Sequence, residues 1–201
     1  MTPAEQRLKR GFDLIVAGVG ILLVAPVIMA AWLVAALETR SNGFFLQTRI
    51  GKHGKPFRVI KIRTMIPAAS EGLTVTTATD RRITRSGRWM RRFKIDELPQ
   101  LINILRGEMS FVGPRPDVPG YADRLEGEDR IILSVRPGIT GPASLKYRDE
   151  EAILARVRDP KRYNDEVIWP DKVAINKAYI REWSFWKDIH YLVQTLTGAS
   201  E

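Results

Sequence analysis

The chain has 201 residues, a net charge of +9, no cysteine and two histidines. A chain without cysteine has no disulfide, thiolate nucleophile or cysteine-ligated zinc, and this composition fits a reducing compartment. With His53 and His190 as its only histidines, the chain is poorly suited to a Ser-His triad or a histidine-rich metal site. A catalytic metal would therefore be held by oxygen ligands and resemble Mg²⁺.

An uncharged apolar run covers residues 14–37. At about 1.5 Å per residue it is long enough to cross a bilayer, and it is longer than the apolar core of a usual signal peptide. Pro26 lies at its middle and favours a bend. The positive-inside rule assigns both ends to the cytoplasmic side, because basic residues precede and follow the run: Arg7, Lys9, Arg10, Arg40, Arg49 and Lys52. The pattern predicts a re-entrant hairpin, with a single-pass helix kinked at Pro26 as the alternative.

The apolar run also sets the expected domain organisation. Residues 1–40 are predicted to form the membrane segment, and residues 41–201 are predicted to form one compact domain on the cytoplasmic face. Asp13, just before the run, would either cap the helix or pair with Lys9, and capping is the preferred interpretation. Small residues in the run permit helix packing, which allows a homodimer.

The next stretch, residues 40–94, is strongly basic and contains only two acidic residues, Glu71 and Asp80. Such a stretch attracts anions, and nucleic acid, anionic lipid headgroups and phosphorylated substrates are all candidates. A neighbouring membrane segment favours lipid and phosphate. Nucleic acid is disfavoured because base-stacking aromatics are sparse and no helix-turn-helix or RNA-binding signature occurs.

The soluble part is predicted to mix helices and short strands. Residues 44–48 and 57–62 are predicted to form a β-hairpin, residues 67–80 a loop, and residues 88–93 a short basic helix. Apolar residues then recur at helical spacing, which predicts a helix ending near Gly107: Leu98, Leu101, Ile102 and Leu105. An extended segment is expected at 109–112.

The C-terminal third is predicted to be helical and is rich in aromatic side chains: Trp169, Trp183, Phe185 and Trp186. Tryptophan is enriched at membrane interfaces, so these residues would help the domain lie on a bilayer. Packing in a hydrophobic core is an equally good interpretation for each of them.

Two features stand out as candidate chemistry. Asp96 and Glu97 precede the predicted helix at Leu98, where they either serve as cap and first-turn residues or share a divalent ion with an anionic substrate. Arg115 lies between two prolines, Pro114 and Pro116, and this restricted backbone favours bidentate binding of phosphate. A surface arginine in a stiff turn is the alternative, and Arg136 before Pro137 has the same two interpretations.

Together these residues resemble the bacterial sugar transferases known as monotopic phosphoglycosyl transferases, in their small form that consists of the catalytic domain. The resemblance covers nearly the whole chain, and it depends on the order and spacing of several motifs rather than on any one of them. The motifs are Lys-Arg-Gly-Phe-Asp at 9–13, Lys-Ile-Arg-Thr-Met at 61–65, Asp-Glu-Leu-Pro-Gln at 96–100, Gly-Glu-Met-Ser-Phe-Val-Gly-Pro-Arg-Pro at 107–116 after Asn103, and Arg-Pro-Gly-Ile-Thr-Gly at 136–141.

The resemblance implies an α/β membrane enzyme of the bacterial inner membrane, with a re-entrant helix at Pro26, a short β-hairpin, amphipathic interfacial helices and a catalytic domain facing the cytoplasm. It implies transfer of a sugar-1-phosphate from a UDP-sugar to polyprenol (undecaprenyl) phosphate, with release of UMP. Asp96 would be the nucleophile, and Glu97, with Asp96, would hold Mg²⁺. The expected substrate-binding residues are those of the basic and proline-clamped motifs: Lys61, Arg63, Pro114, Arg115, Pro116 and Arg136.

The chain departs from many relatives in two places. Ala25 replaces a serine before the hairpin proline, and residues 142–148 replace a Gln-Val-x-Gly-Arg-like segment, so the resemblance does not carry the sugar over. Two other functions stay open at this stage. One is a non-catalytic membrane adaptor with a basic anion-binding surface, and the other is a single-step transferase in which Asp96 is only a metal ligand.

Overall fold

The computed structural model describes residues 1–67 and 82–198 and has a mixed architecture of helices and short strands. Its α-helices are α1 (Pro3–Thr39), α2 (Arg85–Arg92), α3 (Gln100–Arg106), α4 (Pro142–Lys146), α5 (Glu150–Leu154), α6 (Pro160–Tyr163), α7 (Trp169–Arg181) and α8 (Phe185–Thr197). Its strands are β1 (Phe44–Ile50), β2 (Pro56–Ile62), β3 (Ser110–Val112) and β4 (Gly138–Thr140). A π-helical segment, Asn164–Ile168, joins α6 to α7.

Helix α1 contains the whole apolar run, and it continues without interruption through Pro26. Its most apolar 18-residue window has a mean hydropathy of 2.7, and only 17% of that window is buried inside the protein. By length and composition this helix is able to cross a membrane. A single unbroken helix does not distinguish a membrane-spanning path from a re-entrant one, so the re-entrant course of the chain stays a prediction.

The hairpin, the short basic helix and the helix ending near Gly107 that were predicted after the apolar run are present. Strands β1 and β2 form a two-stranded antiparallel sheet, which confirms the hairpin, and α2 confirms the short basic helix. The predicted loop at 67–80 lies, beyond Pro67, outside the described residues. Helix α3 ends just before Gly107 as expected, but Asn103 and Ile104 are both fully buried, so its buried surface is wider than the predicted stripe.

Strands β3 and β4 pair in parallel, with Ser110 opposite Gly138 and Val112 opposite Thr140. The backbones approach so closely that a Cβ added to Gly138 would lie 2.2 Å from the Gly113 nitrogen, and one added to Gly141 would lie 2.5 Å from the Gly113 oxygen. Only glycine fits at such approaches. The motifs at 107–116 and 136–141 therefore pack directly against each other, backbone to backbone.

The structure divides into two compact units, each described separately. The larger unit comprises Met1–Ile15, Thr48–Phe57 and Ile104–Glu201, and the smaller unit comprises Val16–Gln47 and Arg58–Asn103. The core of the larger unit gathers side chains from β3, α7 and the 3₁₀ segment Gly127–Ser134, among them Val112, Tyr179 and Leu133. In the smaller unit, Met90 of α2 and Ile62 of β2 pack on α1 at Ile28, Ala31 and Ala35.

Buried charges fix the start of α1 within the larger unit. Lys9 forms an ion pair with Asp188, and the same carboxylate accepts hydrogen bonds from Tyr179 Oη (2.7 Å) and Trp183 Nε1 (3.0 Å). Asp13 accepts from Ser110 Oγ and the backbone N–H of Phe111, both at 3.1 Å. The capping interpretation of Asp13 is wrong, because α1 begins ten residues earlier. The carboxylate instead accepts hydrogen bonds from two residues of β3.

The aromatic residues of the C-terminal third take both predicted environments. Trp183 is buried in the core of the larger unit, and Trp169 and Phe185 pack against it, which favours the core interpretation for these three. Trp186 is 77% exposed. The membrane interpretation therefore stays open for Trp186 alone among them.

Candidate active site

The Asp-Glu pair lies in a short 3₁₀ turn, Ile95–Glu97, between α2 and α3. Lys94, directly before the turn, has a left-handed backbone with φ of 56°, which lets the chain reverse at the end of α2. Pro99 follows at the entry to α3, where a missing N–H leaves no hydrogen bond unmade. The turn keeps Asp96 and Glu97 out of a regular helix, and this irregular backbone is what adjacent carboxylates need in order to act together.

Asp96 is a buried carboxylate with an unpartnered oxygen. It is 7% exposed, and its Oδ1 accepts no hydrogen bond. Burial raises the pKa of Asp96, and the neighbouring Glu97 raises it further, whereas the positive charges of Lys61, Lys94 and Arg91 act in the opposite direction. A buried polar atom without a partner is rare and destabilising, and a helix-capping role leaves this oxygen of Asp96 unexplained.

Glu97 is engaged by a lysine from the hairpin. Lys61 Nζ on β2 lies 2.9 Å from Glu97 Oε1, and both side chains are mostly buried. Asn103 on α3 fixes β2 beside this turn: its Oδ1 accepts from the Ile60 N–H (3.0 Å), and its Nδ2 donates to the Arg58 carbonyl (2.7 Å). The smaller unit thus brings together three of the predicted site residues, namely Asp96, Glu97 and Lys61.

Arg63, also predicted to bind substrate, makes local contacts. Its Nε donates to the Asn42 carbonyl (2.7 Å), its Nη2 donates to the Phe44 carbonyl (3.3 Å), and its guanidinium lies 5.6 Å from the centre of the Phe45 ring. These contacts tie the end of β2 to the start of β1. They give Arg63 a structural role, and its binding of substrate stays a prediction.

The proline-clamped arginine belongs to the larger unit. Pro114 and Pro116 are buried, while Arg115 between them is exposed and donates from Nη1 to the Ile139 carbonyl at 3.2 Å. The Pro114 carbonyl in turn accepts from the Gly138 N–H (2.9 Å). The interlocked β3 and β4 loops therefore hold the Arg115 backbone and part of its side chain in place.

Two further charged residues, Arg136 and Asp117, lie beside the two loops. Arg136 Nε donates to the Gly107 carbonyl at 2.8 Å and is partly buried. Burial raises the pKa of Asp117 to about 6, against the opposing charges of Lys172, Arg49 and Arg115. Arg115 and Arg136 are parts of one unit, and the Asp96 turn is part of the other.

Arg91 and Lys94 were predicted only as members of the anion-attracting basic stretch, whereas their positive charges act to lower the pKa of Asp96. The signal was available, because both lie within five residues of Asp96 at the end of the basic stretch. Asn103 likewise had no predicted function beyond its place in a motif. An asparagine among regularly spaced leucines indicates a buried hydrogen-bonding role, which is what Asn103 has.

Chemically, the Asp96 turn offers a carboxylate in a cationic, partly desolvated setting. Such a group suits either nucleophilic attack on an electrophilic phosphorus or coordination of a hard cation. Among the described residues no group of three or more acidic or histidine side chains is placed to hold a metal ion. A pair of carboxylates still fits Mg²⁺, which is commonly bound by one or two carboxylates with substrate phosphates completing its ligands.

The chain matches a family model and several named proteins. A family model described as "Bacterial sugar transferase" matches residues 4–200. The chain is 37% identical over 194 residues to a UDP-glucose:undecaprenyl-phosphate glucose-1-phosphate transferase of Caulobacter vibrioides, covering 94% of this chain and 68% of that protein. It is 36% identical over 202 residues to an enzyme of the same name from Escherichia coli K12, covering 98% and 41%.

A third relative acts on a different sugar by its name. It is a UDP-N-acetylgalactosamine-undecaprenyl-phosphate N-acetylgalactosaminephosphotransferase of Aeromonas hydrophila, 32% identical over 199 residues, covering 97% of this chain and 44% of that protein. The chain thus spans less than half the length of two of these three relatives. Their names differ in the sugar and agree on undecaprenyl phosphate.

Proposed function

This chain belongs to the bacterial sugar transferase family, and we propose that it transfers a sugar-1-phosphate from a UDP-sugar to polyprenol phosphate, giving a polyprenyl-diphosphate sugar and UMP. The observation that carries the proposal is the buried, unpartnered Oδ1 of Asp96, a carboxylate that feels the positive charges of Lys61, Lys94 and Arg91. The names of the relatives, which act on undecaprenyl phosphate, support the acceptor. The sugar is left open, because those names include both glucose and N-acetylgalactosamine.

In this proposal Asp96 is the nucleophile of a two-step reaction. A carboxylate oxygen of Asp96 attacks the sugar-bearing β-phosphorus, and the bond from that phosphorus to the bridging oxygen breaks, so that UMP leaves with the bond's electron pair. A phosphate oxygen of the polyprenol carrier then attacks the same phosphorus and releases the carboxylate. Splitting the reaction lets two polyanions react one at a time, which is the usual advantage of a covalent intermediate.

The cations around Asp96 support this role. Attack requires the ionised carboxylate, which burial and Glu97 disfavour and which Lys61, Lys94 and Arg91 favour. The same cations attract the diphosphate of the donor. The Lys61–Glu97 pair, at 2.9 Å, keeps the lysine beside the turn, and Lys61 is proposed to bind donor phosphate together with Arg63.

Asp96 and Glu97 are also proposed to hold Mg²⁺. The fit comes from Asp96 Oδ1, a buried oxygen without a hydrogen bond, and from the adjacent carboxylate of Glu97. When bound, the ion supplies positive charge that neutralises the diphosphate and favours departure of UMP. Glu97 remains paired to Lys61, so this carboxylate is oriented before any ligand arrives.

Substrate phosphate is proposed to be bound also by Arg115, and by Arg136, in the larger unit. A guanidinium between two buried prolines starts from a restricted backbone, which lowers the entropy lost on bidentate binding. Pro114 and Pro116 would act by fixing this arginine. Arg136, whose Nε is already held by the Gly107 carbonyl, presents its remaining N–H groups to an anion.

The carrier is a lipid, so in the cell it meets the enzyme at a membrane. We propose that residues 1–40 enter and leave one leaflet of the bacterial inner membrane, and that residues 41–201 form the catalytic part on the cytoplasmic face. Basic residues on both flanks of the apolar run support this topology. The exposed apolar surface of α1, including Leu22 and Leu23, supports contact with lipid tails.

The test is UMP release from a panel of UDP-sugars in detergent with Mg²⁺, with and without undecaprenyl phosphate. Wild-type protein is expected to release UMP in a carrier-dependent way from at least one donor. Asp96→Asn is expected to abolish this release, while Asp149→Asn, at an exposed aspartate, is the matched control and is expected to keep it. No release from any donor, or substantial release by Asp96→Asn, would contradict the proposal.

A further inference from the structure

A recess in the larger unit is lined by a concentration of positive charge. It lies between the start of α1, the turn that joins β1 to β2 and the residues before β4, and it encloses about 270 Å³, part of which is open solvent. Four of its lining side chains are charged, namely Lys9, Asp13, Lys52 and Arg136. Three of these four are cations, and a recess lined mainly by one sign of charge concentrates ions of the other sign.

The carboxylates at this place already have cationic partners. Lys9 forms its buried ion pair with Asp188. Asp13 offsets the charges of Lys9 and Arg10, and Arg10 is held further by the Ile104 carbonyl, to which its Nη1 donates at 2.6 Å. Neither carboxylate is therefore left over to neutralise the remaining cations of the recess.

Lys52 and Arg136 carry the charge that remains. Lys52 Nζ donates to the neutral side-chain oxygen of Gln6 at 3.1 Å, and Arg136 Nε donates to the Gly107 carbonyl at 2.8 Å; among the described residues no carboxylate forms an ion pair with either cation. Burial lowers the pKa of Lys52, and the positive charge of Arg136 lowers it further. Two cations that repel each other in a partly desolvated recess are stabilised when an anion binds to both.

We propose that this recess binds a phosphate group through Lys52 and Arg136. A guanidinium forms paired hydrogen bonds to phosphate oxygens, and a lysine ammonium binds phosphate as a point charge. Because the recess is small and open to solvent, it takes the phosphate group while the rest of the ligand lies outside, so free phosphate and the phosphate monoester of a larger molecule both fit. The inference rests on the proposed binding of phosphate by Arg136, and it adds Lys52 as the second ligand and the recess as the place of binding.

Trace acetylation of the full chain in detergent tests the inference, because acetic anhydride modifies only unprotonated amines and a bound phosphate covers and protonates Lys52. Lys55, three residues further along and exposed, is the internal control. Mass spectrometry gives the acetylation rate of each lysine with and without a probe, at constant pH and ionic strength. The probes are sodium phosphate, UMP and undecaprenyl phosphate, and their counterparts without phosphate are sodium chloride, uridine and undecaprenol.

At least one phosphate probe is expected to slow acetylation of Lys52 several-fold and to leave Lys55 unchanged, while the counterparts slow neither. Protection by UMP alone identifies a nucleotide as the source of the phosphate, and protection by undecaprenyl phosphate alone identifies the lipid carrier. Arg136→Gln is expected to remove the protection. Arg158→Gln, the same change at an exposed arginine of the larger unit, is the matched control and is expected to keep it.

Thermal unfolding gives a second measurement that does not depend on the folding of Arg136→Gln. A ligand that binds the folded state raises Tm, so the protecting probe is expected to raise Tm of the wild type. Lys52→Gln, which loses only the bond to Gln6, is expected to lack this rise, whereas Lys55→Gln is expected to keep it.

Acetylation of Lys52 that none of the three phosphate probes slows would overturn the inference, as would equal slowing at Lys52 and Lys55. UMP release by the same preparation separates this failure from failure of the proposed function. Carrier-dependent release with an unprotected Lys52 rejects the recess alone. Protection of Lys52 without release from any donor supports phosphate binding and contradicts the proposed transfer reaction.

Discussion

The buried carboxylate of Asp188 is predicted to be a large contributor to the stability of the larger unit. It is 2% exposed and accepts bonds from Lys9, Tyr179 and Trp183, while Lys9 itself is 8% exposed. Asp188→Asn keeps most of the side-chain volume but removes the carboxylate that is paired with the buried Lys9 ammonium, so that Asp13 alone is left to offset this charge. Removing one partner of a buried pair costs about 3–5 kcal/mol, which for a chain of this size lowers Tm by on the order of 10 °C.

The assay is thermal unfolding of the full chain in detergent, followed by tryptophan fluorescence. Glu182→Gln is the matched control, because it breaks an ion pair of 3.0 Å to Lys187 in which both side chains are well exposed. An exposed pair contributes at most about 1 kcal/mol, so this variant should unfold close to wild type. Lys9→Met combined with Asp188→Asn should recover part of the loss, since the buried ammonium is removed together with its ion-pair partner.

Equal unfolding temperatures for Asp188→Asn and Glu182→Gln would refute this reasoning. That result would mean that Lys9 reaches water in solution and that the pair is not buried as described. A double variant less stable than Asp188→Asn alone would also contradict it. In that case the hydrogen bonds from Tyr179 and Trp183 would matter more than the charge of Lys9.

Three further predictions follow from single contacts. The pKa of the Asp117 carboxyl is about 6 in the folded protein and near 4 in the unfolded chain. The folded state therefore holds the proton more tightly, and the free energy of unfolding should fall by up to about 3 kcal/mol as the pH rises from 4 to 6. Denaturant titrations of Asp117→Asn should lack this part of the fall. Gly138→Ala should disrupt the paired loops and UMP release, because its Cβ would lie 2.2 Å from the backbone nitrogen of Gly113. Gly18→Ala is the control and should fold normally, because nothing lies within 4 Å of the added Cβ. Equal folding of the two variants would contradict the close approach at Gly138. Asn103→Ala should lower the free energy of unfolding by about 2–5 kcal/mol and slow UMP release, because the Ile60 N–H and the Arg58 carbonyl lose their partner. Chemical unfolding measures the loss, and a change below about 1 kcal/mol would contradict this role of Asn103.

The local elements could be predicted from the sequence because their signals are local. Short apolar segments on either side of a Gly- and Pro-containing turn predict the β1–β2 hairpin, and helical spacing predicts α3. The apolar run gives α1 by length alone. None of these requires knowledge of a distant part of the chain.

Contacts between distant residues could not be predicted in this way. Asp13 was assigned to a helix cap because capping is the commonest local role of aspartate, whereas its partners, Ser110 and Phe111, lie nearly a hundred residues away. The pairing of Lys9 with Asp188 is equally invisible to periodicity. For the C-terminal tryptophans the sequence left core and membrane open, because a large apolar ring suits both.

The candidate site shows the same limit. Composition identified oxygen ligands and a basic stretch, but Asp96 and Glu97 gained a specific role only from the family resemblance, since an Asp-Glu pair before a proline is also an ordinary helix start. The structure adds what makes this pair unusual, namely the buried oxygen of Asp96 without a partner. It also adds the bond from Lys61 to Glu97, which joins residues 36 positions apart.

The covalent role of Asp96 is the central claim, and trapping the intermediate tests it most directly. Wild-type protein is mixed with an accepted UDP-sugar and Mg²⁺ in the absence of the polyprenol carrier, quenched rapidly and analysed by intact mass and peptide mapping. The account predicts an added mass of one sugar phosphate on the peptide containing Asp96, lost when carrier is added and absent from Asp96→Asn. Carrier-dependent UMP release with no such adduct, or an adduct that persists in Asp96→Asn, would contradict it and favour direct transfer.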